Sequence, residues 1–362
     1  MDVLSDVLRV LRLTGSVFFM GEFSAPWVIE EPDANQLAAF AIPDAECVVL
    51  FHILTEGQCL IESKGLPSVS LEAGDVIIFP HGDPHRMSSH AGARAERPQV
   101  LLSRSPDGAL REIAFGGGGK VTRFVCGYLN CDQKFNPLLA SLPNILAVRS
   151  RDDYSAVEVI DRNGRRPAAV PQGSSNWLST TLKFTTHEAK SGRPGNAAML
   201  GRLTELMFVE IIRQYMQQLP EDHRGWLAGL NDPQVGTALR LLHQSPARNW
   251  TVEELAHEAA ISRSALAQRF TELIGESPMR YLSAWRIQLA KLMLRDYGHT
   301  IQQVAARVGY ESEAAFNRAF KRAVGLPPAA WRKSAASAAA SSGILHPREP
   351  ADPLAIHMAT RP

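Results

Sequence analysis

Apolar and polar positions change rhythm along the chain. As far as about residue 130 the apolar residues come in short runs, CVVLFHIL (Cys47 to Leu54), QCLIES, VSLEAG and DVIIFP, separated by TEG, KGLPS and HGDPH. Short runs rich in Val, Ile and Phe and punctuated by Gly, Pro and Asp predict strands of an antiparallel barrel or sandwich. From Ala197 the rhythm becomes helical: Met199, Leu200, Leu203, Leu206, Met207, Val209, Ile211, Ile212 and Tyr215 lie on one face of a helix running to Leu219, behind the breaker-rich segment Lys190 to Asn196. A second break at Leu219 to Arg224 precedes Asp232-Pro233, an N-cap followed by Pro at the first helical position, and the pattern stays helical to Lys333.

The helical part repeats itself. At an offset of 49, Thr251-Val-Glu-Glu-Leu-Ala256 falls on Thr300-Ile-Gln-Gln-Val-Ala305. One extra residue in the second copy's turn raises the offset to 50 and pairs Leu266 with Phe316, Phe270 with Phe320, Gly275 with Gly325, Pro278 with Pro328 and Tyr281 with Trp331. Each copy starts on a Thr N-cap, places Ala where a second helix must cross closely, turns, and starts its second helix at Ser262 or Ser312. That is the layout of a helix-turn-helix, whose second helix enters the major groove. Its outward positions are Arg263, Ser264, Ala267, Gln268 and Thr271 in the first copy and Glu313, Ala314, Asn317, Arg318 and Lys321 in the second; Arg269 and Arg322 complete the DNA-binding set. Arg suits guanine, and Gln and Asn suit adenine. The first recognition helix, read as having fewer acidic neighbours than Glu311 and Glu313 give the second, is expected to supply more base reading. The second is expected mainly to position the protein through Arg318, Lys321 and Arg322. The 18 residues Pro278 to Arg295 between the copies form one amphipathic helix. It is ~27 Å long, enough to hold two recognition helices about one DNA turn apart.

The segment Thr300 to Arg332, TIQQVAARVGYESEAAFNRAFKRAVGLPPAAWR, resembles the second helix-turn-helix of the AraC/XylS regulators, with its A-x3-G-[YF] turn and F-[KR]-x3-G-x2-P ending. The resemblance covers about 100 residues. It implies two helix-turn-helix subdomains joined by a long helix, promoter DNA as the main partner and RNA polymerase as a further one. In the strand-rich part, Gly74-Asp-Val-Ile-Ile-Phe-Pro80-His-Gly82-Asp-Pro-His85 has the spacing G-x5-P-x-G-x2-H and resembles the second motif of the cupin barrels, whose His often binds a divalent metal. Only His52 remains of the first cupin motif. His52 and His85 are therefore the candidate effector pocket, for a small molecule or a metal. A metal-dependent cupin enzyme with a DNA-binding appendage is the alternative, and a repair protein with a reactive Cys ranks below it. Phe124-Val-Cys126-Gly-Tyr-Leu-Asn-Cys131 together with His81 and His85 supplies a candidate Zn set of His81, His85, Cys126 and Cys131, against a reading of buried thiols and hydrogen-bonded imidazoles. Trp27, Phe51, Phe79 and Trp177 are expected in the core. Gly116 to Gly119 before Lys120 is not a phosphate-binding loop, because Val121 stands where Ser or Thr is required.

Composition narrows the classes further. Four cysteines in 362 residues do not make a disulfide scaffold, no apolar run approaches the ~20 residues of a membrane span, and the first residues lack a signal-peptide pattern, so the protein is expected in the cytoplasm and off the membrane. Net charge is only +1, yet residues 240–333 hold 14 Lys and Arg against 8 Asp and Glu, which leaves the rest of the chain at −5. The expected fold is α+β: a cupin-like antiparallel β-barrel sensor over 5–135, a helical linker and possible homodimerisation region over 136–230, an all-α double helix-turn-helix domain over 231–333, and a disordered tail over 334–362.

Overall fold

The computed structural model describes residues 2–11, 13–34, 47–94, 111–131, 137–150, 155–162, 164–166, 177–189, 191, 193–220, 223–295 and 298–341. The chain divides into a β-rich unit, residues 12–134 and 141–220, and a helical unit, residues 1–11, 135–140 and 221–362.

In the β-rich unit the chain forms β1 (Thr14–Ser24), β2 (Val28–Glu31), β3 (Cys47–Glu56), β4 (Gln58–Glu62), β5 (Val69–Glu72), β6 (Val76–Phe79), β7 (His85–Ser88), β8 (Arg111–Gly116) and β9 (Val121–Cys131). β10 (Ile145–Ser150), β11 (Ser155–Asp161) and β12 (Gly164–Arg166) follow. The larger sheet has the order β12-β11-β10-β6-β3-β9-β1-β8, and the smaller has β2-β7-β4-β5. Among the described residues only β1 and β8 pair in parallel; the other pairings are antiparallel. Alternation does the sorting: in β5 Val69 and Leu71 are buried while Ser70 and Glu72 are exposed. The inward residues of both sheets, among them Phe19, Leu50, Ile61, Leu71, Phe79, Met87 and Phe124, make one core with Trp27 from the β1–β2 connection. The two sheets thus form the expected cupin barrel, left open at its edges.

Three features depart from the sequence reading. β10 to β12 lie inside 136–230, the stretch expected to be a helical linker, and extend the large sheet. Their runs ILAVRS and SAVEVID bury Ile145, Ala147, Val157 and Ile160 as barrel strands. An ion network ties them in: the Arg149 guanidinium bonds Asp75 and Glu158, both at 2.8 Å, and the Asp75 carboxyl is fully buried. The second departure is the helix α1 (Val3–Leu11), which clusters with the helical unit, burying Val3, Val7, Val10 and Leu11. So does α2 (Pro137–Ala140). The third concerns the tail, whose first residues continue a helix to Ser341; residues 342–362 lie outside the described residues.

After β12 come α3 (Trp177–Ala189) and α4 (Asn196–Gln217). The α4 face that the sequence left free to pack on the barrel or on a second copy packs within its own unit against α3 and β1, burying Leu200, Met207, Phe208, Ile211, Ile212 and Tyr215. Trp177 is 40% exposed, so it does not belong to the core with Trp27, Phe51 and Phe79.

The helical unit continues with α5 (Trp226–Asn231), α6 (Pro233–Gln244), α7 (Val252–Glu258), α8 (Arg263–Ile274) and α9 (Pro278–Arg295). It ends with α10 (Ile301–Arg307), α11 (Glu313–Val324) and α12 (Pro328–Ser341). Asp232 caps α6 through the amides of Gln234 and Val235. Among the described residues no helix is long and apolar enough to cross a membrane.

Candidate functional site

The repeated sequence builds the same local structure twice. Thr251 accepts the Glu254 amide at 3.1 Å while the Glu254 carboxylate accepts the Thr251 amide at 2.8 Å; Thr300 and Gln303 do the same at 3.1 and 2.8 Å. Ser262 and Ser312 each cap their second helix, accepting the amides of Ala265 and Ala315 at 3.2 Å. Gly275 and Gly325 end these helices in the left-handed conformation, both at φ 87°. Beneath them, Phe270 meets Tyr281 edge to face at 5.9 Å and 71°, and Phe320 meets Trp331 at 5.9 Å and 69°. Leu266, Phe270, Phe316 and Phe320 are fully buried, so the opposite faces of α8 and α11 are turned outward. The exposed residues include Arg263, Ser264, Gln268 and Arg269 on α8 and Glu313, Arg318, Lys321 and Arg322 on α11, while Asn317 is half-buried.

The two faces differ in charge. On α8, Arg263 pairs with Glu253 at 2.8 Å, Arg269 with Asp232 at 2.6 Å, and Gln268 donates to Glu272 at 2.8 Å. The expectation of fewer acidic neighbours for the first recognition helix is thus reversed, since the carboxylates come from other turns and helices and not from the helix start. Among the described residues no ion pair engages Arg318, Lys321 or Arg322 of α11.

In the barrel, the cupin-like motif does what its spacing suggests. Gly82 has φ 65°, and a Cβ there would lie 2.1 Å from that of Ala34 and 2.9 Å from the Val48 carbonyl oxygen, so the turn tolerates no side chain. The chain then re-enters as β7, and the His85 ring stacks on Phe79 with centroids 3.7 Å apart and an 8° interplanar angle. Register brings in the remaining members: His52 of β3 stands opposite Cys126 of β9, and His85 opposite Glu31 of β2. His52 Nδ1 lies 3.0 Å from Cys126 Sγ, and His52 Nε2 lies 2.8 Å from His85 Nε2. His85 Nδ1 lies 3.0 Å from the Asp83 carbonyl oxygen.

These partners fix the tautomers. The Asp83 carbonyl only accepts, so His85 carries its proton on Nδ1 and accepts at Nε2. His52 then donates from Nε2 and accepts the Cys126 thiol proton at Nδ1. The result is a neutral chain from thiol to imidazole to imidazole to carbonyl. Burial keeps it neutral: it pulls His85 down to about 4, lowers His52 well below the ordinary range with help from His85, and pushes the Cys126 thiol up. Glu31, 4% exposed and with Oε1 lacking a hydrogen bond, is raised to about 7 by burial. The sequence reading missed Glu31, since nothing in VIEE marks one carboxyl as inward except strand alternation.

The candidate Zn set does not assemble. His81 donates Nε2–H to the Leu142 carbonyl at 3.0 Å, and Cys131 stands opposite Cys47 in the β3–β9 ladder. Only His85 and Cys126 join the His52 cluster, where both His52 nitrogens are already engaged. Among the described residues no group of three or more His, Cys, Asp or Glu side chains is arranged to hold a metal ion.

Comparison with known proteins agrees with both halves. A cupin family model matches residues 2–162 and 166–217, and a helix-turn-helix domain model matches residues 255–334. An AraC-like transcription regulator of Streptomyces lividans is 32% identical over 337 residues, covering 92% of this chain and 98% of that protein. The HTH-type transcriptional regulator AlkR of Acinetobacter baylyi is 26% identical over 336 residues, 92% of this chain and 99% of its own length. The DNA-binding domain of AdpA, solved with a target DNA, is 29% identical and covers 29% of this chain and 95% of that one, with a TM-score of 0.28. The chain belongs to the AraC-like transcription regulators, DNA-binding proteins that join a cupin domain to a helix-turn-helix domain.

Proposed function

We propose that the protein docks on promoter DNA through both outward helix faces, with α11 supplying the stronger electrostatic grip. The observation that carries this reading is the exposed cluster Arg318, Lys321 and Arg322, outside every ion pair among the described residues, on a helix capped and buried in the same way as its partner α8. Phosphates then gain these cations without displacing a carboxylate. Arg263, Ser264, Gln268 and Arg269 contact the adjacent stretch once Arg263 and Arg269 exchange Glu253 and Asp232 for DNA, and Glu313 and Asn317 face base edges in the second. An electrophoretic shift over a salt series tests this: Arg263→Ala with Arg318→Ala weakens binding and flattens its salt dependence, and an unchanged titration sinks the assignment.

The barrel is the sensing unit in this reading, and His52 and His85 are the groups an entering effector meets. The chain from Cys126 to Asp83 supports a sensor over an enzyme, because its donors and acceptors are satisfied internally and its thiol is held protonated, leaving neither an open metal position nor an activated nucleophile. A second copy of the chain is the partner of the outer helices: Trp177 and Phe184 on α3, and Met199 and Leu206 on α4, are each seven residues apart and 40 to 55% exposed. RNA polymerase is the further partner, and the cytoplasm is where all of these meet.

A further inference from the structure

Cys47 opens β3 and Cys131 closes β9, and the two are direct partners across the antiparallel ladder. Residues so placed have Cα atoms about 4.5 to 5.5 Å apart, within the roughly 4.4 to 6.8 Å that a disulfide spans without backbone movement. The Cys131 thiol and burial both raise the Cys47 thiol, as expected of close neighbours, and none of the four cysteines is in a disulfide. Cys47 is partly exposed, whereas Cys131 is buried. The other two thiols differ: Cys126 is committed to His52, and Cys59 is sealed in the barrel core. In sequence, β9 is followed by α2, which clusters with the helical unit.

We propose that Cys47 and Cys131 form a reversible redox switch, closed to a disulfide by a two-electron oxidant of the peroxide or hypohalous acid class and altering the affinity for DNA. The inference deepens the reading of the barrel as the sensing unit. With a peroxide, one sulfur attacks the oxygen: an S–O bond forms, the O–O bond breaks, and the leaving hydroxide takes the thiol proton as water. The second thiol then attacks the sulfenic sulfur, the S–S bond forms, the S–O bond breaks, and a second water carries away the remaining proton. Two thiols and one hydrogen peroxide thus give one disulfide and two waters, both sulfurs being oxidised by one electron each and the peroxide reduced by two. With a hypohalous acid the intermediate is a sulfenyl halide, and the products are the disulfide, one water and the hydrogen halide. A reduced dithiol reverses the step by exchange. The neighbouring Cys131 and burial push the Cys47 thiol up, so thiolate is scarce near neutral pH; the peroxide route, which needs thiolate, is slow there and accelerates as pH rises.

The test uses the full reduced chain, treated with hydrogen peroxide or with hypochlorous acid, quenched with an alkylating agent and mapped by peptide mass spectrometry. The expected result is a linked Cys47–Cys131 peptide in at least one arm, with Cys59 and Cys126 still alkylated after unfolding. Affinity for a duplex selected from a random library by the reduced protein then changes by about fivefold or more on oxidation and returns on reduction. Cys47→Ser, at a partly exposed strand end, keeps the reduced-state affinity and loses the response; Cys131→Ser, if it folds, behaves alike. Absence of the linked peptide in both arms, a change of less than about twofold on oxidation, or an equal response in Cys47→Ser overturns the switch. Binding by the reduced protein is read separately, so failure of the switch is distinguishable from failure of the regulator reading.

Discussion

The two helix-turn-helix units share caps, breakers and buried aromatic pairs, yet differ in what surrounds them. In the first, three polar residues of the recognition helix are held by carboxylates, and its support is a buried hydrogen-bonded hub: the Trp226 indole donates to the Tyr281 hydroxyl, which lies 2.8 Å from His243 Nε2. In the second, Trp331 takes the place of Tyr281, and Lys291 and Arg295 lie over its ring at 5.6 and 5.5 Å. The turns differ too. Gly309 occupies a left-handed position at φ 84°, whereas its counterpart Ala260 adopts φ 53° with a side chain. Repetition thus preserves the backbone pattern, which the caps enforce locally, while charge and core chemistry diverge where neighbouring helices supply the partners.

The largest difference is expected at the turn. A Cβ on Gly309 would lie 2.6 Å from the Ala247 carbonyl oxygen and 2.7 Å from its Cα, both backbone atoms. Gly309→Ala adds overpacking to left-handed strain, and chemical denaturation is expected to show a loss of about 3 to 4 kcal/mol. A loss below about 1 kcal/mol would mean that the second turn is as tolerant as the first.

Next comes DNA. Arg318→Ala, Lys321→Ala and Arg322→Ala together are expected to weaken binding about 100-fold at moderate salt and to lower the salt slope by about 0.9 for each phosphate left without its cation. Arg263→Ala with Arg269→Ala costs about tenfold, because each guanidinium must first give up its carboxylate. If the α8 pair costs as much as the α11 triple, the electrostatic contrast between the units fails.

What could be read in the sequence follows the same division between local and long-range causes. The repeat, its Thr and Ser caps, the Gly ends and the Asp232-Pro233 start depend on residues within one turn of each other. The partnership of Arg263 with Glu253 depends on how two helices cross, and that of Arg269 with Asp232 bridges 37 residues. The barrel shows the same limit. The turn around Gly82 and the inward return of His85 were legible, but the association of His52 with Cys126 needed the β3–β9 register, and Cys131 falls opposite Cys47 instead of reaching His81. The strands after Cys131 went unread because the helical pattern from Ala197 drew the intervening residues into a linker.

Acid is expected to separate the units by a smaller amount. Burial holds His243 at about 3, below its value of 6.5 in an unfolded chain, so the unfolded state binds the additional proton between those values. Stability from the neutral ring is therefore complete above pH 6.5 and is lost as pH falls toward 3. Hydrogen exchange, corrected for intrinsic rates, is expected to show α8 amides losing about 2 kcal/mol of protection between neutral pH and about 4.5, with α11, supported by a Trp that does not titrate, losing less. Equal losses in both helices would show that the two hubs open as one.

The smallest effect returns to the turn with the substitution reversed. Ala260 is the one non-Gly residue with positive φ among the described residues, and its neighbours hold it there: its amide bonds the His257 carbonyl and the Ile261 amide reaches the Ala256 carbonyl, as Gly309 and Tyr310 bond Ala306 and Ala305. Ala260→Gly removes left-handed strain of about 1 kcal/mol but adds freedom to the unfolded chain, and the two nearly offset each other. A gain of about 0.5 kcal/mol is expected in denaturant titrations, opposite in sign to Gly309→Ala at the equivalent position. A loss of similar size would mean that the Ala260 methyl makes a packing contribution larger than its strain, and the two turns would then differ because of what surrounds the first and not because of its backbone conformation.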